Sequence, residues 1–87
     1  MLTVKSFVTE QTGGGCTALV RYLDCGVVLV LSDGNFGADV RSAGAEPVGL
    51  LYASAEDWHG GADPALDVLG TADQVLETLT YWAAIKA

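Results

Sequence analysis

The segment CTALVRYLDCGVVLVLS, residues 16–32, constrains the fold more than any other part of the chain. Two runs rich in Val and Leu flank Asp24-Cys25-Gly26, and Gly26 offers a position that takes positive φ without steric cost. This pattern predicts a β-hairpin with strands over 16–23 and 27–32. The second run, VVLVL, does not alternate, because Val and Leu fill both of its faces. A strand of that kind is covered on both sides or sits at the centre of a sheet. The hairpin therefore needs further strands beside it and an apolar layer against it.

The flanking sequence supplies both. LTVKSFVTE, residues 2–10, alternates and predicts another strand, and QTGGG, residues 11–15, predicts a loop. Residues 32–46 are rich in Gly, Asp, Ser and Asn, a long loop with a short strand near Ala38–Arg41. Pro47 precedes VGLLYA, a strand over 48–53, and a Pro there suits a sheet edge. Ser54-Ala55-Glu56-Asp57 has the chemistry of a helix start, giving one turn to Trp58. Asp63-Pro64 resembles an N-cap with Pro in the first helical position, which predicts a short helix over 64–69. Thr71 and Gln74 form a Thr-x-x-Gln capping box, and an apolar stripe from Ala72 to Ala83 recurs at helical spacing. A helix over 72–86 follows. The expected fold is α+β: an antiparallel sheet of about four strands with a C-terminal helix packed on one face. At 87 residues the chain is one domain, 1–87.

One helix covers one side of such a sheet. Phe7, Leu19, Leu23 and one side of the 27–31 run are candidates for the other side. That face either forms a self-association surface, giving a homodimer, or is covered by the 32–46 and 54–70 segments.

Eleven acids face four bases, for a net charge of −7. That balance excludes nucleic acid and anionic membrane surfaces as direct partners, since both need a basic footprint. No apolar run reaches the roughly 18–20 residues of a membrane-spanning helix. The opening residues lack the charged head and long apolar run of a secretory signal, so the expected location is the cytoplasm. Two cysteines, Cys16 and Cys25, flank the first hairpin strand, whose length of about 25 Å keeps them apart. A disulfide needs Cα atoms within about 7 Å. Reduced thiols are expected, with Cys25 exposed in its turn and open to oxidative cross-linking.

Few residues carry recognisable chemistry. Gly13-Gly14-Gly15-Cys16-Thr17 lacks the Lys of a phosphate loop and runs into a strand rather than a helix. Asp33, Asn35 and Asp39 are oxygen donors, but Gly37 and Gly44 stand where a calcium loop needs ligands. His59 is the only histidine, too thin a supply for zinc, and no Gly-x-Ser-x-Gly is present. Glu56 and Asp57 are adjacent, so their side chains diverge on a helix. The expectation is a protein that is not an enzyme and holds no cofactor or metal.

The acids are the remaining signal. From Asp24 to Glu77 the chain has ten acids and one base, Arg41, and most of these acids fall in predicted loops. Such charge serves solubility, or it steers the protein onto a basic partner if the 32–46 and 54–70 segments share a side. The glycine-led hairpin GGGCTALVRYLDCGVVLVLSDG, residues 13–34, with an Ala/Val/Gly/Asp-rich composition, resembles small acidic proteins of bacteriophages and mobile elements. In size and charge the chain also resembles anti-CRISPR proteins. The resemblance is one of type and carries no motif. It implies an inhibitor of host defence in the bacterial cytoplasm, binding a Cas effector subunit through an acidic surface and blocking nucleic-acid binding. On that expectation Asp33, Asp39, Glu46, Glu56, Asp57 and Asp63 pair with Lys or Arg of the target, and Trp58 and Phe36 act as anchors. The alternative is a small self-associating assembly protein.

Overall fold

In the computed structural model, which describes residues 1–86, the central hairpin grows into a five-stranded antiparallel sheet with neighbours in chain order. The strands are β1 (Val8–Gly13), β2 (Cys16–Tyr22), β3 (Val28–Ser32), β4 (Val48–Tyr52) and β5 (Leu66–Leu69). A short helix α1 (Ala55–His59) joins β4 to β5, and α2 (Ala72–Lys86) follows β5. The α+β class stands, with five strands rather than four and with α2 packed on the sheet.

The register sorts the side chains. Leu19 faces Leu31, Val20 faces Val30, and Leu29 faces Leu51. Side chains alternate along each strand, so Leu19, Leu29, Leu31 and Leu51 share one face. That face meets Val75, Leu76, Leu79 and Trp82 of α2 in the larger core. Ala18, Val20, Val28, Val30 and Tyr52 make the opposite face, against Ala55 and Trp58 of α1. The unbroken VVLVL run is thus explained, because β3 is central and buried on both sides.

Glycines set geometry at two places. Gly14 and Gly15 both have positive φ, 60° and 82°, and close the β1–β2 hairpin as a two-residue turn that only glycine enters cheaply. Gly49, opposite Leu31, leaves room for α2: a Cβ there would lie 2.7 Å from Val75 Cγ1. At the start of α2 the Gln74 N–H donates to Thr71 Oγ1 (3.2 Å), and the Thr71 N–H donates to Gln74 Oε1 (3.0 Å). The capping box is complete.

Several expectations are corrected. Residues 2–10 are not one strand. Val4–Ser6 form a 3₁₀ turn, in which the Thr3 N–H donates to Ser6 Oγ, and β1 begins at Val8 and continues through the first glycine. Residues 64–69 are not a helix. Leu66–Leu69 pair with β4, anchored by the Ala65 N–H donating to the Leu51 carbonyl (2.8 Å). That pairing makes β4 interior, so Pro47 does not mark a sheet edge. No strand forms at 38–41, although Val40 is buried in the helix-side core. Phe7, Leu19 and Leu23 also belong to that helix-side cluster, whereas Val28 and Val30 do lie on the opposite face.

Candidate functional site: a groove on the sheet face away from α2

The sheet face away from α2 is only partly covered. α1 lies over one part of it because Ser54 caps the helix, its hydroxyl accepting the Asp57 N–H at 3.1 Å. This brings Trp58 down onto the sheet, where its ring stands 5.2 Å from Tyr52, centroid to centroid, at 53°. The indole N–H donates to Glu10 Oε1 at 3.1 Å. Tyr22 donates its hydroxyl to Glu10 Oε2 at 2.6 Å. His59 Nε2 lies 3.4 Å from Glu10 Oε1 and 3.2 Å from the Tyr22 oxygen. Glu10 pairs with Ala18 in the β1–β2 register, and therefore shares the face of Val20, Tyr22 and Tyr52.

These contacts fix the state of the cluster. Partial burial alone would raise the Glu10 carboxyl, but hydrogen bonds from Tyr22, Trp58 and His59 outweigh it and hold the group below its ordinary value. Loss of solvent and the bond to Glu10 push the Tyr22 phenol up to about 12. Glu10 thus acts as a clamp that ties α1 to β1 and β2.

A second wall comes from the loop after β3. Asp33 Oδ1 accepts the N–H groups of Asn35 (2.7 Å) and Gly37 (3.0 Å), and the Thr17 N–H donates to the Phe36 carbonyl (2.9 Å). These bonds hold Phe36 at φ 60°, the only positive φ outside glycine among the described residues. A left-handed conformation costs an L-residue about 1–2 kcal/mol. The Phe36 ring nevertheless stays 77% exposed. Local strain that keeps a large aromatic in solvent is a pattern found at functional sites.

Between these walls lies an open groove of about 330 Å³. Ala18, Val30, Val48 and Leu50 line it, with Phe36 and Trp58 at its margins. Thr12 and Trp58 also line a second hollow of about 340 Å³, which contains Glu10 and His59. At the other end Gly34 and Val48 border Glu46. Beyond one end stands Glu10, bonded to Tyr22, Trp58 and His59, and Glu46 lines the hollow that adjoins the other end.

The sequence-predicted residues divide as follows. Phe36 and Trp58 come together on one groove. Glu56 and Asp57 form the first turn of α1, Asp63 is close enough to Tyr52 to raise its phenol, after burial, and Glu46 lies by the groove end. Asp33 is committed to its own loop. Asp39 lies beside buried Val40, in the part of the loop that packs on the helix side. The 32–46 segment therefore straddles the sheet rather than sharing one side with 54–70. Glu10 and Tyr22 were not among the sequence candidates. Their one sequence signal is their position on the inward-facing rows of a hairpin, which the misplaced start of β1 obscured.

The four cations take the other side. Arg21 pairs with Leu29 in register and donates to the Ser6 carbonyl (2.8 Å), and Arg41 bonds Asp73 of α2 (2.9 Å). Lys86 ends α2, and Lys5 sits in the turn whose Val4 packs into the helix-side core. Cys16 and Cys25 are free thiols, Cys25 exposed. Among the described residues no group of three or more His, Cys, Asp or Glu side chains is placed to hold a metal, and no helix is long and apolar enough to cross a membrane. No protein-family model matches the chain, and no curated protein or solved structure matches it.

Proposed function

We propose that this protein acts by stoichiometric binding to a basic protein surface. In the specific form that its resemblance to anti-CRISPR proteins implies, it is a phage- or mobile-element-encoded inhibitor that occupies the nucleic-acid-binding surface of a Cas effector. The observation that supports binding is the placement of the cations: all four lie on the helix side, with Asp39, Asp73 and Glu77, and the other face carries acids without a Lys or Arg. Glu10, Glu46, Glu56, Asp57 and Asp63 gather around the face away from α2, joined by Asp67, which faces Leu50 across β4–β5. Lys5, Arg21, Arg41 and Lys86 lie on the helix side. A face with one sign of charge steers encounter with the opposite sign and weakens as salt rises. The choice of a Cas effector as partner rests on likeness in size and charge alone.

The test is affinity capture from a bacterial lysate expressing a CRISPR–Cas effector, eluted with a salt gradient. The wild type is expected to retain an effector subunit and release it as salt increases. The combined variant Glu46→Gln, Glu56→Gln, Asp57→Asn, Asp63→Asn is expected to retain none. Asp33 is left alone because its carboxylate builds the loop. Equal capture by the variant would remove the acidic face from the mechanism, and no capture by the wild type would remove the Cas effector.

A second reading, self-association, is favoured by one observation. Leu69 (75% exposed) and Tyr81 (63%) border a shallow groove between β5 and α2, with Ile85 exposed one turn beyond Tyr81. These three exposed apolar residues, at a free strand edge and beside Gln74, Glu77 and Thr78, are where a homodimer would form, rather than the sheet face. Light scattering at low and high salt tests it, and a dimer indifferent to salt supports it.

A further inference from the structure

We propose that the groove between Phe36 and Trp58 seats an apolar side chain of the partner, on a segment where Lys or Arg flank that residue. This rests on the reading of a basic partner and names the feature of that partner which is recognised.

Ala18, Val30, Val48 and Leu50 give the groove its apolar lining, Thr12, Thr17 and Ser32 add hydroxyls, and no Lys or Arg is among the residues that form it. A side chain entering there removes apolar area from water on both partners, the two aromatic rings included. The Trp58 ring is held before anything binds, by Glu10 and Tyr52. At Phe36 the backbone is held by the Asp33 loop and the Thr17 N–H, which sets where its exposed ring starts from. The preorganised indole loses little side-chain freedom on binding.

The charges at the two ends decide what flanks the apolar residue. Glu10 stands in the hollow that shares Thr12 and Trp58 with the groove, and Glu46 lies beside Gly34 and Val48 at the opposite end. An apolar residue lodged in the middle places its neighbours near one or other carboxylate. Cations are attracted there. Acidic neighbours are repelled. A second copy of this chain is a poor occupant, since it carries a net charge of −7 and its four cations are never close in sequence.

The test titrates ¹⁵N-labelled protein with three synthetic peptides of equal length: a central Leu flanked by Lys, the same peptide with Ala for Leu, and the Leu peptide with Glu for Lys. The readouts are the Trp58 indole N–H and the Phe36 backbone amide. The Leu/Lys peptide is expected to shift both signals and saturate, the Ala/Lys peptide to bind about tenfold more weakly, and the Leu/Glu peptide not to bind. Phe36→Ala is expected to weaken the Leu/Lys peptide by about tenfold with the rest of the spectrum unchanged, because that ring is not in either core. If the Ala/Lys and Leu/Lys peptides bind alike and leave Trp58 unmoved, the groove inference is overturned while a general acidic binding face survives. If neither Lys-bearing peptide binds, both fall.

Discussion

Gly49 is where α2 settles on the sheet, and Gly49→Ala tests that seat. The glycine has no positive φ, so in an open strand alanine would be worth about 0.5–1 kcal/mol of stability. Here the added Cβ would lie 2.7 Å from Val75 Cγ1, 2.9 Å from Val68 Cγ1 and 3.2 Å from Leu79 Cδ2. Val75 and Leu79 are fully buried and cannot swing aside. Overpacking of this kind costs about 1–3 kcal/mol. The net expectation is a loss of about 1–2 kcal/mol, and in a domain of this size each kcal/mol lowers Tm by about 4–8 °C. Thermal melts followed by circular dichroism, with urea unfolding alongside, measure it. Val75→Ala alone also destabilises, by about 2 kcal/mol, but it removes the methyl that the new Cβ strikes. The double variant should therefore be more stable than the sum of the singles predicts, by about 1 kcal/mol. A Gly49→Ala protein as stable as wild type would refute the close approach of α2 to β4.

Three further outcomes are expected. Thr71→Ala should cost about 1 kcal/mol by opening the capping box of α2, read by urea unfolding. Phe36→Gly should leave Tm unchanged or raise it slightly, because relief of the left-handed strain of about 1–2 kcal/mol meets a glycine entropy cost of about 0.5–1, while partner binding falls. Glu10 is held below its ordinary value of 4.5, so its contribution is complete above that value and is lost as pH falls through the lowered folded value. Acid unfolding of Glu10→Gln should lack that component, and ultraviolet titration should show the Tyr22 phenol moving down from about 12.

The elements legible in sequence were those whose signal is local. The 16–32 hairpin declares itself through turn chemistry between two β-branched runs, and α2 through a capping box and a long apolar stripe. β5 was misread because LDVL is too short for either periodicity to decide, and Asp63-Pro64 imitates a helix start. Pairing with β4 overrode that local cue. At the other end, residues 2–6 alternate like a strand, but Leu2 and Val4 serve the helix-side core from a 3₁₀ turn. Phe36 and Trp58 could be singled out because large aromatics among loop acids stand out. Their shared groove could not, since it depends on Thr17 reaching Phe36 and on Glu10 reaching Trp58 across 48 positions.

The strictly sequential strand order has a consequence for synthesis. Each strand pairs with the one made just before it, so the sheet can zip up as it leaves the ribosome without waiting for distant sequence. The helix that seals Leu29, Leu31 and Leu51 is made after all five strands. For that interval a growing chain presents a row of leucines to its neighbours, the kind of surface through which nascent proteins aggregate or recruit chaperones.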